Sequence, residues 1–116
     1  MKRGDVILIR VPHASGVRGK KRPAVVVQSD VYLARTNSVI VAEITKNLTL
    51  ASDPACLMID VTTAEGQATG ISITSVISCL LLYTITTDTI AQSLGSLSTP
   101  MVHQLDACLK AALALP

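Results

Sequence analysis

A chain of 116 residues with 49% hydrophobic residues can bury one compact core, and we read it as a single unit over 1–116. Its aromatic content of 2%, Tyr32 and Tyr83 alone, excludes single-strand binders that stack successive bases on aromatic platforms. Net charge is only +2, yet seven of the ten Lys and Arg residues fall in the first 22 positions, and after Lys46 only Lys110 follows. In chain order, Val6 to Val11 is the first strand, stopped by Pro12. A loop of about ten residues with Gly16 and Gly19 follows, longer than a tight hairpin needs. Ala24 to Gln28 is a nearly unbroken β-branched run, the pattern of a central strand buried on both faces. Ser38 to Thr45 alternates, with Val39, Val41 and Glu43 set against Ile40, Ala42 and Ile44. Leu57 to Val61 is a fourth strand, Gly66 and Gly70 punctuate a turn region, Val76 to Ile85 is a long fifth strand, and Ile90 to Leu97 a short sixth.

The period then changes. Ser98 or Thr99 can cap a helix, Pro100 sits where a first-turn proline is tolerated, and Val102, Leu105, Leu109 and Ala112 recur at helical spacing. One amphipathic helix over about 100–114 follows. Short strands closed by one helix predict a mainly β fold, a small, partly closed SH3-like barrel with the helix packed on it.

The basic run Arg18-Gly19-Lys20-Lys21-Arg22 leads straight into Pro23 and the second strand. A loop fixed between strands presents cations to phosphate at low ordering cost, so a polyanion is the first ligand to consider. The separation of the cations from Asp53, Asp60, Glu65, Asp88 and Asp106 points to directed phosphate binding. A solvated charged loop that keeps an apolar chain soluble is the plainer alternative. Cys56, Cys79 and Cys108 are odd in number and widely spaced, which reads as small buried hydrophobes in a reducing compartment. No metal site and no cofactor are expected, because no cluster stands at ligand spacing. The longest apolar stretch, Ile77 to Ile85, is too short to span a bilayer, so no membrane partner is expected and the chain is read as cytoplasmic.

Four segments in register carry a resemblance: Met1-Lys2-Arg3-Gly4-Asp5-Val6, Gly19-Lys20-Lys21-Arg22-Pro23-Ala24-Val25-Val26-Val27, Val41-Ala42-Glu43-Ile44-Thr45, and Ser75-Val76-Ile77 with Thr84-Ile85. Together they resemble the MazF/PemK family of toxin ribonucleases over nearly the whole chain. The resemblance implies the CcdB/PemK-type barrel and metal-independent cleavage of single-stranded mRNA. In that reaction a ribose 2′-OH attacks the adjacent phosphate and leaves a cyclic phosphate and a 5′-OH. It places the catalytic arginine on Arg22 and the catalytic threonine on Thr45. It also implies a homodimer, which would cover the apolar excess, and an acidic antitoxin that competes for the basic run.

A guanidinium fork and a hydroxyl suit the charge of a pentacoordinate phosphorane, so Arg22 is assigned charge stabilisation first and proton transfer second. Its pKa lies too far above operating pH for an efficient proton carrier. Arg18, Gly19, Lys20 and Lys21 are the candidate phosphate contacts, Lys46 and Asn47 the candidates for sugar or base edges, and Ser75 a substrate-facing hydroxyl. His13 is a further acid–base candidate in the first loop. As structural alternatives, Arg22 is a strand-start cation paired with Asp5 or Glu43, and Thr45 an ordinary β-branched strand residue. Cys79, Leu80, Leu81 and Leu82 stand where many relatives carry polar residues that read RNA, and Tyr83 where a basic residue is common. Two other functions fit the same barrel: a non-catalytic CcdB-like toxin that blocks a DNA-handling enzyme, and a nucleic-acid-binding module that cuts nothing.

Overall fold

β-Branched runs become a sheet and the proline-capped segment becomes a helix in the computed structural model, which describes residues 1–11 and 20–116. The strands are β1 (Asp5–Val11), β2 (Lys20–Val26), β3 (Ser38–Thr45), β4 (Cys56–Ile59), β5 (Ser75–Thr86) and β6 (Ile90–Ser96). The helices are α1 (Asp30–Leu33), α2 (Ala64–Ala68) and α3 (Thr99–Leu113), with a 3-10 turn at Thr87–Thr89. One sheet runs in the order β4-β5-β3-β2-β1-β6, each pairing antiparallel. The sheet curls into a half-barrel, in line with the expected barrel and closing helix.

Two apolar clusters lie on opposite faces of the curled sheet, as the period-2 pattern of its strands requires. Val6, Val25, Ala42, Ile44 and Ile77 face Met101, Leu105 and Cys108 of α3. Ile7, Ile9, Ala24, Val26, Val39 and Val41 form the second cluster, with Leu33 and Ile85 packed on it. β2 is thus the central, doubly buried strand its composition predicts. Ser98 caps α3 by accepting from the Met101 N–H, and Pro100 occupies its first turn. All three cysteines are buried and free. Burial first, then its two neighbouring cysteines, push the Cys79 thiol up to about 12.

Three expectations need correction. β2 starts at Lys20, not Ala24, so the second half of the basic run is strand and not loop. The turn region around Gly66 contains α2, capped by Thr63 through the Gly66 N–H. The span Asp30–Leu33, for which no element is expected, is a single helical turn capped by Ser29.

β5 is interrupted within its length. Ala42 pairs with Leu82 and Glu43 with Ser78, which leaves Cys79, Leu80 and Leu81 out of the β3 ladder. Such a bulge bends a strand, and here it lets the first part of β5 pair with β4 as well as β3. Cys79 turns into the core while Leu80 and Leu81 are exposed. At the other side of the curl, the α2 segment meets β6. A Cβ on Gly95 would stand 2.3 Å from the Ala68 carbonyl oxygen, and Gly70, at φ +76°, approaches Leu94 as closely. These glycines let two backbones touch where any side chain would hold them apart.

Candidate functional site

A proline opens the site. The Val27 N–H donates to Ile40 O across the β2–β3 gap (3.0 Å), and amides alternate along a strand, so positions 25 and 23 also turn toward β3. Position 23 is proline and has no N–H to give. The β2–β3 ladder accordingly ends at Ala24–Glu43, while β1–β2 pairing continues to Val11–Lys20. Lys20 to Pro23 are held by β1 alone, and a cleft of about 540 Å³ lies between them and the end of β3.

The cleft brings together most of the candidate residues. Lys20, Lys21, Arg22 and Pro23 form one wall, Ile44, Thr45, Lys46 and Asn47 the other, and Ser75 with the Gly70–Ile73 segment closes the side next to Leu94. Extending the Ala24–Glu43 register by two residues sets Arg22 across from Thr45. Lys20, Lys21 and Lys46 are exposed. Arg18, Gly19 and His13 lie outside the described residues.

Local hydrogen bonds orient the second wall. The Thr45 hydroxyl accepts from the Asn47 N–H (3.1 Å), which leaves its own proton to donate into the cleft. Asn47 Oδ1 in turn accepts from the Thr49 N–H (3.0 Å), so the amide NH₂ of Asn47 remains for a ligand. Ser75 is buried and donates to the Ile73 carbonyl at 2.7 Å. Its hydroxyl therefore braces the side wall.

Arg22 Nη1 lies 3.8 Å from Glu43 Oε1, so the structural pairing weighed for Arg22 is present on the Glu43 side. The guanidinium remains about half exposed (52%) and the carboxylate mostly covered (16%). Burial first, then the negative charge of nearby Glu43, hold the Tyr83 phenol above its ordinary range, with Arg22 acting the other way. Asp5 instead accepts from the Lys2 N–H.

Two features, one wall of the cleft and one cation beside it, escape sequence reading. The Gly70–Ile73 wall reads only as a turn. Arg10 pairs directly with Lys21 in the β1–β2 ladder, and no signal short of the register finds it. Like charges directly opposite each other repel. Among the described residues the ion pairs are Arg3–Asp106 and Arg22–Glu43, so no carboxylate balances Arg10, Lys20, Lys21 or Lys46. An arrangement of this kind favours a bound anion. Arg3 is different: its N–H reaches Asp30, its Nε the Val27 carbonyl and its Nη1 Asp106, a structural tie between chain start and α3. The apolar stretch Cys79–Leu82 does not line the cleft. Among the described residues no three or more His, Cys, Asp or Glu side chains are grouped to hold a metal ion, and no helix is long and apolar enough to cross a membrane.

Comparison with known proteins bears on the fold and the family. The endoribonuclease MazF6 of Mycobacterium tuberculosis is 30% identical over 105 residues, 90% of this chain and 88% of the relative. A mycobacterial endoribonuclease solved in complex with its cognate antitoxin superposes with a TM-score of 0.81 at 16% identity, covering 100% of this chain and 97% of that one. The M. tuberculosis toxin MazF-mt6 superposes at 0.76 with 20% identity, covering 97% and 98%. At such identities the superpositions speak for the fold. Residues 2–113 match the family described as PemK-like, MazF-like toxin of type II toxin-antitoxin system, and to that family this chain belongs.

Proposed function

We propose that the whole chain, 1–116, acts as one toxin unit in the cytoplasm that cleaves single-stranded mRNA without a metal. The cleft between β2 and β3 is its active site. One observation carries the reading: Arg22 and Thr45 both line the cleft that opens where the β2–β3 ladder stops at Ala24–Glu43, beside Lys20, Lys21 and Lys46. The RNA backbone lies against Lys20 and Lys21, with Arg18 and Gly19 extending the same contact and Lys46 and Asn47 meeting sugar or base edges. A 2′-OH attacks the adjacent phosphate, the P–O5′ bond breaks, and a 2′,3′-cyclic phosphate and a 5′-OH result. Arg22 directs its fork of donors at the equatorial oxygens as charge builds, and the Thr45 hydroxyl adds one more donor.

The related proteins named as endoribonucleases support the activity, and the one solved with an antitoxin supports a protein inhibitor. For this chain the inhibitor is an acidic antitoxin whose carboxylates occupy the same cations as RNA. The working form is a homodimer, consistent with exposed Leu80, Leu81 and Tyr83 on β5. The test is incubation of the purified protein with a long RNA in EDTA and end-group analysis of the fragments. Cyclic phosphate and 5′-OH ends are expected. Intact RNA, or activity that returns only with magnesium, would overturn the proposal.

A further inference from the structure

The mechanism above leaves the direction of the Arg22 guanidinium unexplained. An arginine has four rotatable side-chain bonds, and one that is half exposed on a strand held from one side only should sample many orientations. Stabilising a phosphorane requires the fork to be aimed before the charge appears. Something must hold it.

The candidate lies behind Arg22 and outside the cleft. Glu43 places Oε1 3.8 Å from Arg22 Nη1, yet Glu43 is not among the residues lining the cleft and its side chain is largely covered. Tyr83 pairs with Val41, two residues before Glu43 on the same face of β3, next to the bulge that sets Glu43 against Ser78, and the Glu43 charge is felt at its phenol. Three strands thus contribute one residue each to a line from phenol to carboxylate to guanidinium.

Resting on the activity proposed above, we infer that Glu43 is a positioning residue that aims Arg22 into the cleft, and that Tyr83 fixes the carboxylate that does so. The arrangement follows the logic of an orienting group behind a working one: the carboxylate takes one side of the fork and leaves the other for phosphate. It carries a cost. A negative charge beside the phosphate site weakens RNA binding, so the pair trades affinity for turnover.

That trade provides the test. Glu43→Gln keeps shape and removes charge. On a single-stranded RNA substrate its kcat should fall about ten- to a hundredfold, the scale of a misplaced reacting group, while KM stays level or drops. Tyr83→Phe should lower kcat in the same direction by a smaller factor, about threefold, with its ring packing kept. In an Arg22→Ala background, Glu43→Gln should produce no further loss, because a residue acting only through Arg22 has nothing left to aim. Thermal midpoints of each variant separate a loss of aim from a loss of fold, since a half-exposed ion pair contributes little to stability. Unchanged or raised kcat in Glu43→Gln, or losses that multiply with Arg22→Ala, would overturn the inference while leaving the ribonuclease reading intact. A parent protein that cuts no RNA would overturn the activity itself, and this inference with it.

Discussion

Lys20 and Lys21 offer the sharpest separation of binding from chemistry, because the structure gives both a functional and a structural consequence for their removal. If Arg18, Lys20, Lys21 and Arg22 each neutralise one phosphate, the logarithm of affinity should fall with the logarithm of salt at a slope of about −2.8, using roughly 0.7 per single-strand contact. Between about 50 and about 200 mM salt, this amounts to a loss of about fiftyfold. Replacing both lysines with Gln should bring the slope to about −1.4 and the loss to about sevenfold over the same range. Binding is measured on a 2′-O-methyl RNA, which lacks the nucleophile and so cannot be cut. Turnover at saturating RNA should hold, since neither ammonium is assigned to the transition state. The register adds a second expectation. Lys21 stands opposite Arg10, so its replacement relieves like-charge repulsion, and the double variant should melt at the same temperature as the parent or higher. A protein at least as stable that binds RNA more weakly would show that these cations serve the ligand and not the fold. An unchanged salt slope, or a fall in saturated turnover, would refute the division of the site into a charged wall and a reacting pair.

Arg22→Ala should reduce cleavage by about two to three orders of magnitude with a much smaller effect on RNA affinity, and Thr45→Ala should act in the same direction; steady-state kinetics on purified variants checks both. Gly95→Ala would place a Cβ 2.3 Å from the Ala68 carbonyl oxygen and push the α2 segment off β6, so the urea midpoint should reveal a loss of about 2–3 kcal/mol. Cys79 yields a pH prediction. Its thiol is raised from 9.0 to about 12 by burial, so the folded state holds this proton more tightly than the unfolded chain. The contribution is complete below about pH 9 and is lost as pH climbs toward about 12, so denaturant midpoints should fall across that window, and more steeply than in Cys79→Ala.

Much of the fold is legible because its causes are local. The β-branched run at Ala24 to Val27 and the Ser98–Pro100 cap each specify an element whatever the rest of the chain does. α2 hides because Ala64-Glu65-Gly66-Gln67-Ala68 is too short and too rich in glycine to display a period, and its helix depends on one threonine cap. β5 misleads for a different reason. Val76 to Ile85 reads as one unbroken strand, but neither composition nor alternation signals that Cys79, Leu80 and Leu81 leave the ladder. The apolar stretch, where the resemblance leads one to expect polar residues, thus falls largely in a bulge and outside the cleft lining.

The site divides along the same line. Arg22 and Thr45 are recognisable as residue types at family positions, and the basic run is visible in the charge pattern. What converts them into a site is register, and register between β2 and β3 is set across the eleven residues between Val26 and Ser38, which sequence periodicity does not relate. Pro23 makes the point most directly. In the chain it reads as the proline after a catalytic arginine; in the sheet its missing N–H faces Ile44, ends the ladder at Ala24, and leaves Lys20 to Arg22 paired on one side only. An alanine there would supply the missing donor and extend the ladder into the cleft proposed to take the RNA backbone. The proline's contribution is thus to keep a strand edge open in the middle of a sheet, where the protein would otherwise close it.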